Sequence, residues 1–89
     1  MREILFSKQA DKFLEKLNKS DKNLARQFAE EISFLQKNPL HNSTKKLVRS
    51  NNLYRVRVAK YRMIYRFDEE KIYLLVIAKR EDVYDFLKN

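Results

Sequence analysis

Arginine side chains are the groups in this sequence best suited to chemistry, and several of them occur at strand spacing. The stretch Tyr54–Val58 alternates apolar and basic residues, which places Arg55 and Arg57 on the same side of an extended strand. Residues two apart on a strand lie about 6.5 to 7 Å from each other. Because the planar guanidinium donates hydrogen bonds in pairs to phosphate oxygens, the two arginines predict a phosphate-binding surface.

The excess positive charge of the chain lies in the same region. The window from Lys45 to Arg66 contains eight basic residues and no acidic one, whereas the rest of the chain has 12 of each sign, so the formal net charge of +8 belongs to this window. Like charges opposite one another on neighbouring strands are destabilising, so a merely solvated sheet face would mix signs. The concentration of positive charge in one window favours a polyanionic partner. The basic residues are Lys45, Lys46, Arg49, Arg55, Arg57, Lys60, Arg62 and Arg66.

The elements that position these arginines begin with a strand and two helices. A strand is predicted at Arg2–Phe6, followed by Ser7 as the cap of a helix whose apolar residues recur at helical spacing up to Leu17. Asn18–Ser20 predicts a tight break. A second helix, capped by Ser20 or Asp21, should stop before Pro39, because the residue ahead of a proline avoids helical angles. The short connection predicts an antiparallel helical hairpin.

The second half of the chain has the period of strands. Leu40–Thr44 is polar and turn-like, and turns are expected at Ala59–Lys60 and Asp68–Glu70 between alternating segments. Ile72–Ala78 is a continuous apolar run, which is typical of a strand buried on both faces. The tail Arg80–Leu87 has the spacing of a short closing helix. The sequence therefore predicts an α+β fold in which an antiparallel meander of three or four strands has helices on one face and leaves the other partly open.

The length and composition of the chain exclude several kinds of protein and of binding site. A chain of 89 residues is expected to form one domain, residues 1–89, around one modest core. The absence of cysteine excludes disulfides and thiolate metal sites. No run approaches the roughly 18 apolar residues needed to span a bilayer, and no signal peptide is visible at Met1–Leu17. We therefore expect a cytoplasmic protein without a membrane partner.

Several segments in order resemble the RelE/ParE toxin superfamily. Leu53–Tyr65 resembles its central signature, a Tyr-Arg-x-Arg strand followed by a Tyr-Arg-x-x-Tyr strand, and Ala78–Tyr84 resembles its closing basic pair and tyrosine. Phe6–Ala10, Asn38–Pro39 and Lys46–Leu47 are also similar to the family pattern, so the resemblance covers nearly the whole chain.

This resemblance implies a toxin of a type II toxin–antitoxin system. RelE-like members enter the ribosomal A site and cleave the messenger RNA there, without a metal or other cofactor, while a cognate antitoxin holds them inactive. The expected partners are the ribosome, mRNA and an antitoxin segment rich in acidic and apolar residues, in a hetero-oligomer. Carried over position by position, the catalytic residues are Arg57, Arg62, Arg80 and Tyr84, and the substrate-binding residues are Arg55, Arg49 and Lys79.

The sequence departs from the family pattern at two positions. Many relatives have glycine in the turn that Ala59–Lys60 occupies, which leaves the strand register open, and many have histidine where Lys79 stands. Arginine, with a pKa above ~12, is a poor general base. His41 lies in a loop away from the signature, where the ordinary interpretation is a solvated residue. Lys79 is the better candidate, provided that neighbouring cations lower its pKa.

Two other functions fit the same residues. A ParE-like toxin shares the fold but inhibits DNA gyrase and cleaves nothing. A degenerate member would only bind RNA or an antitoxin, with a strong dependence on salt.

Overall fold

The structure, a computed structural model, describes residues 1–47, 50 and 52–79. It confirms the α+β fold, with two helices followed by a four-stranded antiparallel meander. The predicted closing helix at Arg80–Leu87 lies outside the described residues. Within the described part of the chain, neither helix is long and apolar enough to cross a bilayer. The elements are β1 (Glu3–Phe6), α1 (Lys8–Ser20), α2 (Lys22–Lys37), β2 (Thr44–Lys46), β3 (Tyr54–Val58), β4 (Tyr61–Phe67) and β5 (Lys71–Lys79).

The two helices form a hairpin with a single residue between them. The Ser7 hydroxyl oxygen accepts a hydrogen bond from the Ala10 N–H at 3.1 Å, as expected for the cap of α1. The break predicted at Asn18–Ser20 is wrong, because α1 continues through these residues. Asp21 serves both helices, since its N–H donates to the Leu17 carbonyl at 2.8 Å and its carboxylate accepts from the Leu24 N–H at 3.1 Å. No separate loop is needed. α2 ends at Lys37, before the proline, as predicted.

The five strands form one sheet in the order β1-β5-β4-β3-β2. β1 pairs parallel with β5, and the other three pairings are antiparallel. β2 begins at Thr44, which the sequence placed in a polar turn. A β-bulge interrupts the pairing of β4 with β5, where Ile64 is opposite Val76 and Tyr65 is opposite Leu74, so that Leu75 is the extra residue.

The main core lies between the helices and one face of the sheet. Phe28 and Leu35 of α2 and Tyr65 of β4 are fully buried in it. β5 is covered on both faces, as its apolar run predicts, because Ile77 belongs to this core while Val76 belongs to a smaller apolar cluster on the opposite face. Full burial of one large apolar side chain stabilises the folded state by about 1.5 to 3 kcal/mol, so this layer holds the sheet to the helices.

The β3–β4 hairpin closes through a two-residue turn. Val58 is opposite Tyr61, and the turn consists of Ala59 and Lys60, as predicted. Ala59 has φ of 55°, in the left-handed region that glycine occupies at little cost. The hairpin therefore keeps a tight turn without glycine, and this sets the register of the arginines.

Candidate nucleic-acid interface

The hairpin brings three of the predicted site residues onto the sheet face that points away from the helices. Arg57 on β3 is directly opposite Arg62 on β4, at the Cα separation of roughly 4.5 to 5.5 Å that antiparallel partners have. Arg55 lies two residues before Arg57 and therefore on the same side of the sheet. Neither Arg55 nor Arg57 forms an ion pair with a carboxylate in the described part of the chain. Two guanidinium groups opposite one another are the arrangement that a bound phosphate would favour.

A lysine that the sequence did not single out belongs to the same surface. Lys45 of β2 is exposed and stands directly opposite Arg55. It was counted in the basic window, but its strand was not predicted, so its partner was unknown. We call the surface formed by these four cations the basic face, which comprises Lys45, Arg55, Arg57 and Arg62.

Exposure differs across the basic face. Arg57 is exposed and Arg55 is partly buried, whereas Arg62 is only 8% exposed. Arg62 stands between Arg57 on one side and Ala78 of β5 on the other. Arg62 is therefore much less accessible to solvent than Arg55 and Arg57. Arg62 lies at the base of the face, where the low local dielectric strengthens its attraction to an anion.

An apolar wall borders the basic face. Ile64, fully buried, packs with Val76 and Ala78 of β5 and with Leu47 of the segment between β2 and β3. The Leu47 N–H donates to the Leu53 carbonyl at 2.9 Å. The wall excludes water from one side of the arginines and so raises their electrostatic effect on a bound phosphate.

Two other basic residues lie apart from the basic face, Lys79 on the helix side of the sheet and Arg66 on the same side as Arg62 but further along β4. Lys79 is opposite Tyr61, whose ring packs in the main core, so its side chain starts on the helix side of the sheet. Arg66 lies along β4 from Arg62, and its guanidinium carbon is 3.9 Å from the ring centroid of Tyr73. Arg49, Arg80 and Tyr84 lie outside the described residues. The structure therefore brings Arg55, Arg57 and Arg62 together on the outer face of the sheet and places Lys79 on the helix side.

Two acidic residues of α2 lie near the turn between β3 and β4. A groove of about 350 Å³ separates the stretch Arg57–Ala59 from α2, and Glu30 and Glu31 are among its lining residues. Carboxylates repel anions, so these residues limit the basic face on the side of α2.

His41 has a structural environment. Its Nε2 is 2.6 Å from a carboxylate oxygen of Glu31, and its Nδ1 accepts a hydrogen bond from the Ser43 N–H at 3.1 Å. The ring also stacks on Phe34 at 4.4 Å between centroids. These contacts attach the loop after α2 to the helix. They keep the imidazole away from the basic face and identify the residue as a packing element of this loop.

A buried tyrosine fixes the same loop from the sheet. The Tyr65 hydroxyl donates to the Pro39 carbonyl at 2.5 Å. Burial raises the pKa of Tyr65 to about 12, so the phenol remains a donor at physiological pH. Tyr65 and the Glu31–His41 pair together place the start of β2, and with it Lys45.

Comparison with protein families matches residues 4–84 to the ParE toxin of type II toxin–antitoxin systems, parDE. No curated protein has a sequence similar enough to match. Among solved structures, the chain is similar to the archaeal RelE of the RelE–RelB complex from Pyrococcus horikoshii, with 28% identity and a TM-score of 0.72 over 89% of this chain and 94% of that one.

Two further structures share the fold at lower identity. The YoeB dimer from Staphylococcus aureus has 22% identity and a TM-score of 0.76 over 84% of this chain and 92% of that one. The DinJ–YafQ toxin–antitoxin complex of E. coli has a matching chain with 16% identity and a TM-score of 0.71, over 93% of this chain and 97% of that one. The predicted fold is thus that of known toxin structures.

Proposed function

This chain belongs to the RelE/ParE superfamily of toxins from type II toxin–antitoxin systems, and on that premise we propose that it is a ribosome-dependent endoribonuclease that cleaves mRNA in the A site. The proposal extends the family assignment to a reaction and to named residues.

The observation that carries the proposal is the cross-strand pair Arg57 and Arg62, extended by Arg55. Like charges directly opposite each other weaken a sheet, so a structural role alone does not account for this pair. Bidentate guanidinium groups match the oxygens of a phosphodiester and carry full charge at every physiological pH. The basic face is thus suited to a phosphate that gains negative charge during reaction.

RNA supplies its own nucleophile, the 2′-hydroxyl, so the protein needs to align the strand and stabilise the pentacoordinate phosphorane. We assign Arg57 and Arg62 to the scissile phosphate and Arg55 to a neighbouring one. Arg80 would assist the leaving 5′-oxygen, and Tyr84 would stack on or orient a base. The bond from phosphorus to the 5′-oxygen breaks as the 2′-oxygen attacks, giving a 2′,3′-cyclic phosphate and a 5′-hydroxyl. Positioning and electrostatic stabilisation supply most of the rate.

Proton removal from the 2′-hydroxyl requires a group other than these arginines. Within the chain, Lys79 is the candidate, and its side chain would have to reach around the end of β5 from the helix side. The ribosome is a second source of such a group. Arg49 and Lys79 are otherwise assigned to substrate binding.

We also propose a cognate antitoxin as the partner that keeps the protein inactive. The solved complex of RelE with RelB shows that a toxin of this fold is held by an antitoxin chain. An acidic and apolar segment complements the cations of the basic face and the apolar wall beside them. Growth arrest on expression should be relieved by co-expression of the product of a neighbouring open reading frame.

The decisive experiment compares Arg57→Ala with Arg26→Ala in ribosome-dependent mRNA cleavage. Arg57 is exposed on the basic face, whereas Arg26 is exposed on α2, where it donates to Asn23. We expect Arg57→Ala to lower the cleavage rate about 100-fold, as loss of a preorganised donor to a developing charge does, and Arg26→Ala to leave it unchanged. Wild-type cleavage in the Arg57→Ala protein would remove this residue from the mechanism.

A second candidate, inhibition of DNA gyrase, is favoured by the description of the matching family as a ParE toxin. Two assays of the wild-type protein distinguish these functions. A ribonuclease cleaves mRNA on ribosomes and leaves purified gyrase active, whereas a gyrase inhibitor blocks supercoiling and leaves mRNA intact.

A further inference from the structure

The outer edge of β5 has a strand neighbour over only part of its length. β1 pairs with β5 from Glu3 opposite Lys71 to Phe6 opposite Leu74, and the chain then turns into α1. The continuation of β5, from Leu75 to Lys79, is bonded to the start of α1, and no strand among the described residues pairs with it on this edge. The backbone groups there need hydrogen-bond partners from other elements.

Side chains at the start of α1 supply those partners. The Ser7 hydroxyl donates to the Leu75 carbonyl at 2.6 Å. The Gln9 side-chain amide makes two bonds to one residue, since its Nε2 donates to the Ile77 carbonyl at 2.6 Å and its Oε1 accepts from the Ile77 N–H at 2.9 Å. Both bonds are partly buried and join positions 68 residues apart. The Gln9 amide thus replaces one peptide unit of a missing strand.

The clamped residue lies next to the basic face. Ile77 precedes Ala78, the strand partner of Arg62, and Lys79 follows. The bulge at Leu75 interrupts the ladder to β4 at one position, and beyond it β5 is paired with β4 on one edge and bonded to Gln9 on the other. We propose that Gln9 is a positioning residue for RNA cleavage, which holds the end of β5 so that Ala78 and its strand partner Arg62 keep their places relative to the scissile phosphate. This inference rests on the proposed nuclease function.

Three variants test the clamp. Gln9→Leu keeps the approximate size and removes both bonds. Gln9→Glu keeps the shape, but its carboxylate lacks the donor for the Ile77 carbonyl. Gln36→Leu is the matched control, because Gln36 also reaches across the fold, donating to the Arg2 carbonyl at 2.8 Å, at a site on α2 and the N-terminus.

The first measurement is amide hydrogen exchange of the isolated protein, which does not depend on any activity. We expect protection of the Ile77 amide to fall about tenfold or more in Gln9→Leu, the effect of losing one hydrogen bond, while the Met63 amide of the central strand keeps its wild-type rate. Gln36→Leu should leave Ile77 unchanged. Unaltered exchange of Ile77 in Gln9→Leu would overturn the clamp, whether or not the protein cleaves RNA.

The second measurement is mRNA cleavage per folded molecule. We expect kcat to fall at least tenfold in Gln9→Leu with little change in KM, because a small misplacement of the groups around the phosphate slows the chemical step. Gln36→Leu should cleave like the wild type. Wild-type kcat in Gln9→Leu, together with loss of Ile77 protection, would refute the positioning role, and absence of cleavage by the wild type would refute the nuclease function instead.

The Gln9→Glu variant gives a signature that packing alone would not produce. A protonated carboxyl can donate to the Ile77 carbonyl and accept from the Ile77 N–H, as the amide does, whereas a carboxylate cannot donate. We therefore expect its cleavage rate, divided by that of the wild type, to rise as the pH is lowered from about 8 towards about 5. A ratio independent of pH would contradict the two-bond clamp.

Discussion

Tyr65 of β4 joins the sheet to the loop after α2. Its side chain is fully buried, and its hydroxyl donates a hydrogen bond to the Pro39 carbonyl. Loss of such a bond leaves a buried carbonyl without its donor. We expect Tyr65→Phe to lower the free energy of unfolding by about 1 to 2 kcal/mol, measured by urea denaturation.

The control for this prediction is Tyr73→Phe. The Tyr73 hydroxyl is 3.4 Å from the Asp68 carboxylate in an exposed contact, so its loss should change the stability by less than about 0.5 kcal/mol. Equal effects of the two substitutions would contradict the assignment of Tyr65 as an anchor.

The same tyrosine predicts a dependence of stability on alkaline pH. Burial raises the pKa of Tyr65 from the ordinary value of 10.0 to about 12 in the folded protein. The folded state therefore retains the phenol proton more tightly than the unfolded state, and this contribution is complete below pH 10 and lost as the pH rises from 10 to about 12. Urea denaturation at a series of pH values should show that Tyr65→Phe loses less stability than the wild type over this interval.

The side of the sheet that a residue faces was predictable only where apolar and basic residues alternate without interruption. The period of two placed Arg55 and Arg57 together, whereas the register that adds Arg62 was left open by the sequence. It could not place Lys79, because the extra residue at Leu75 reverses which side the later residues of β5 face. A bulge has no signal in a continuous apolar run. Lys45 was missed for a different reason, since a three-residue edge strand is too short to show a period.

At the scale of elements, the β3–β4 hairpin determines the geometry of the site. Its turn places Ala59 at a positive φ, which costs an L-residue with a side chain about 1 to 2 kcal/mol relative to glycine. We expect Ala59→Gly to stabilise the protein by about 1 kcal/mol, measured by thermal or urea denaturation, and to leave the arginine register unchanged.

A second alanine supplies the contrast. Ala29 is exposed within α2, where glycine is a poor helix former, so Ala29→Gly should destabilise the protein by about 1 kcal/mol. Destabilisation by both substitutions would show that the turn does not require the left-handed conformation.

Most element boundaries followed from local signals. Ser7 as a cap, the proline after α2 and the turn at Asp68–Glu70 were each predicted and are present. The break between the helices was misplaced, because the sequence around Asn18–Ser20 contains several polar residues that a loop or a helix end can use equally well. The choice depends on Asp21, whose backbone and side chain together satisfy both helix ends.

The distribution of charge over the whole molecule predicts how RNA binding responds to salt. Four cations form the basic face, and each phosphate that they neutralise releases a counterion. We expect the logarithm of the binding constant for single-stranded RNA to fall with the logarithm of salt concentration with a slope of about −3.

Removal of a positive charge from the basic face should weaken the dependence of RNA binding on salt concentration. Arg57→Ala should reduce the magnitude of the slope by about 0.7, whereas Arg26→Ala on α2 should leave it within error, as measured by fluorescence anisotropy. Equal slopes for the two variants would mean that RNA does not use the basic face.

The parallel pairing of β1 with β5 has a consequence for how the protein is made. β5 lies between β1 and β4, so an interior strand of the sheet is synthesised after every other described strand. Ile4 reaches its partner Ile72 only when that late segment is available, which makes the closing contacts non-local. A nascent or prematurely terminated chain that lacks β5 has neither a support for Arg62 nor a closed core. Translation that stops before β5 therefore yields fragments in which the basic face cannot form.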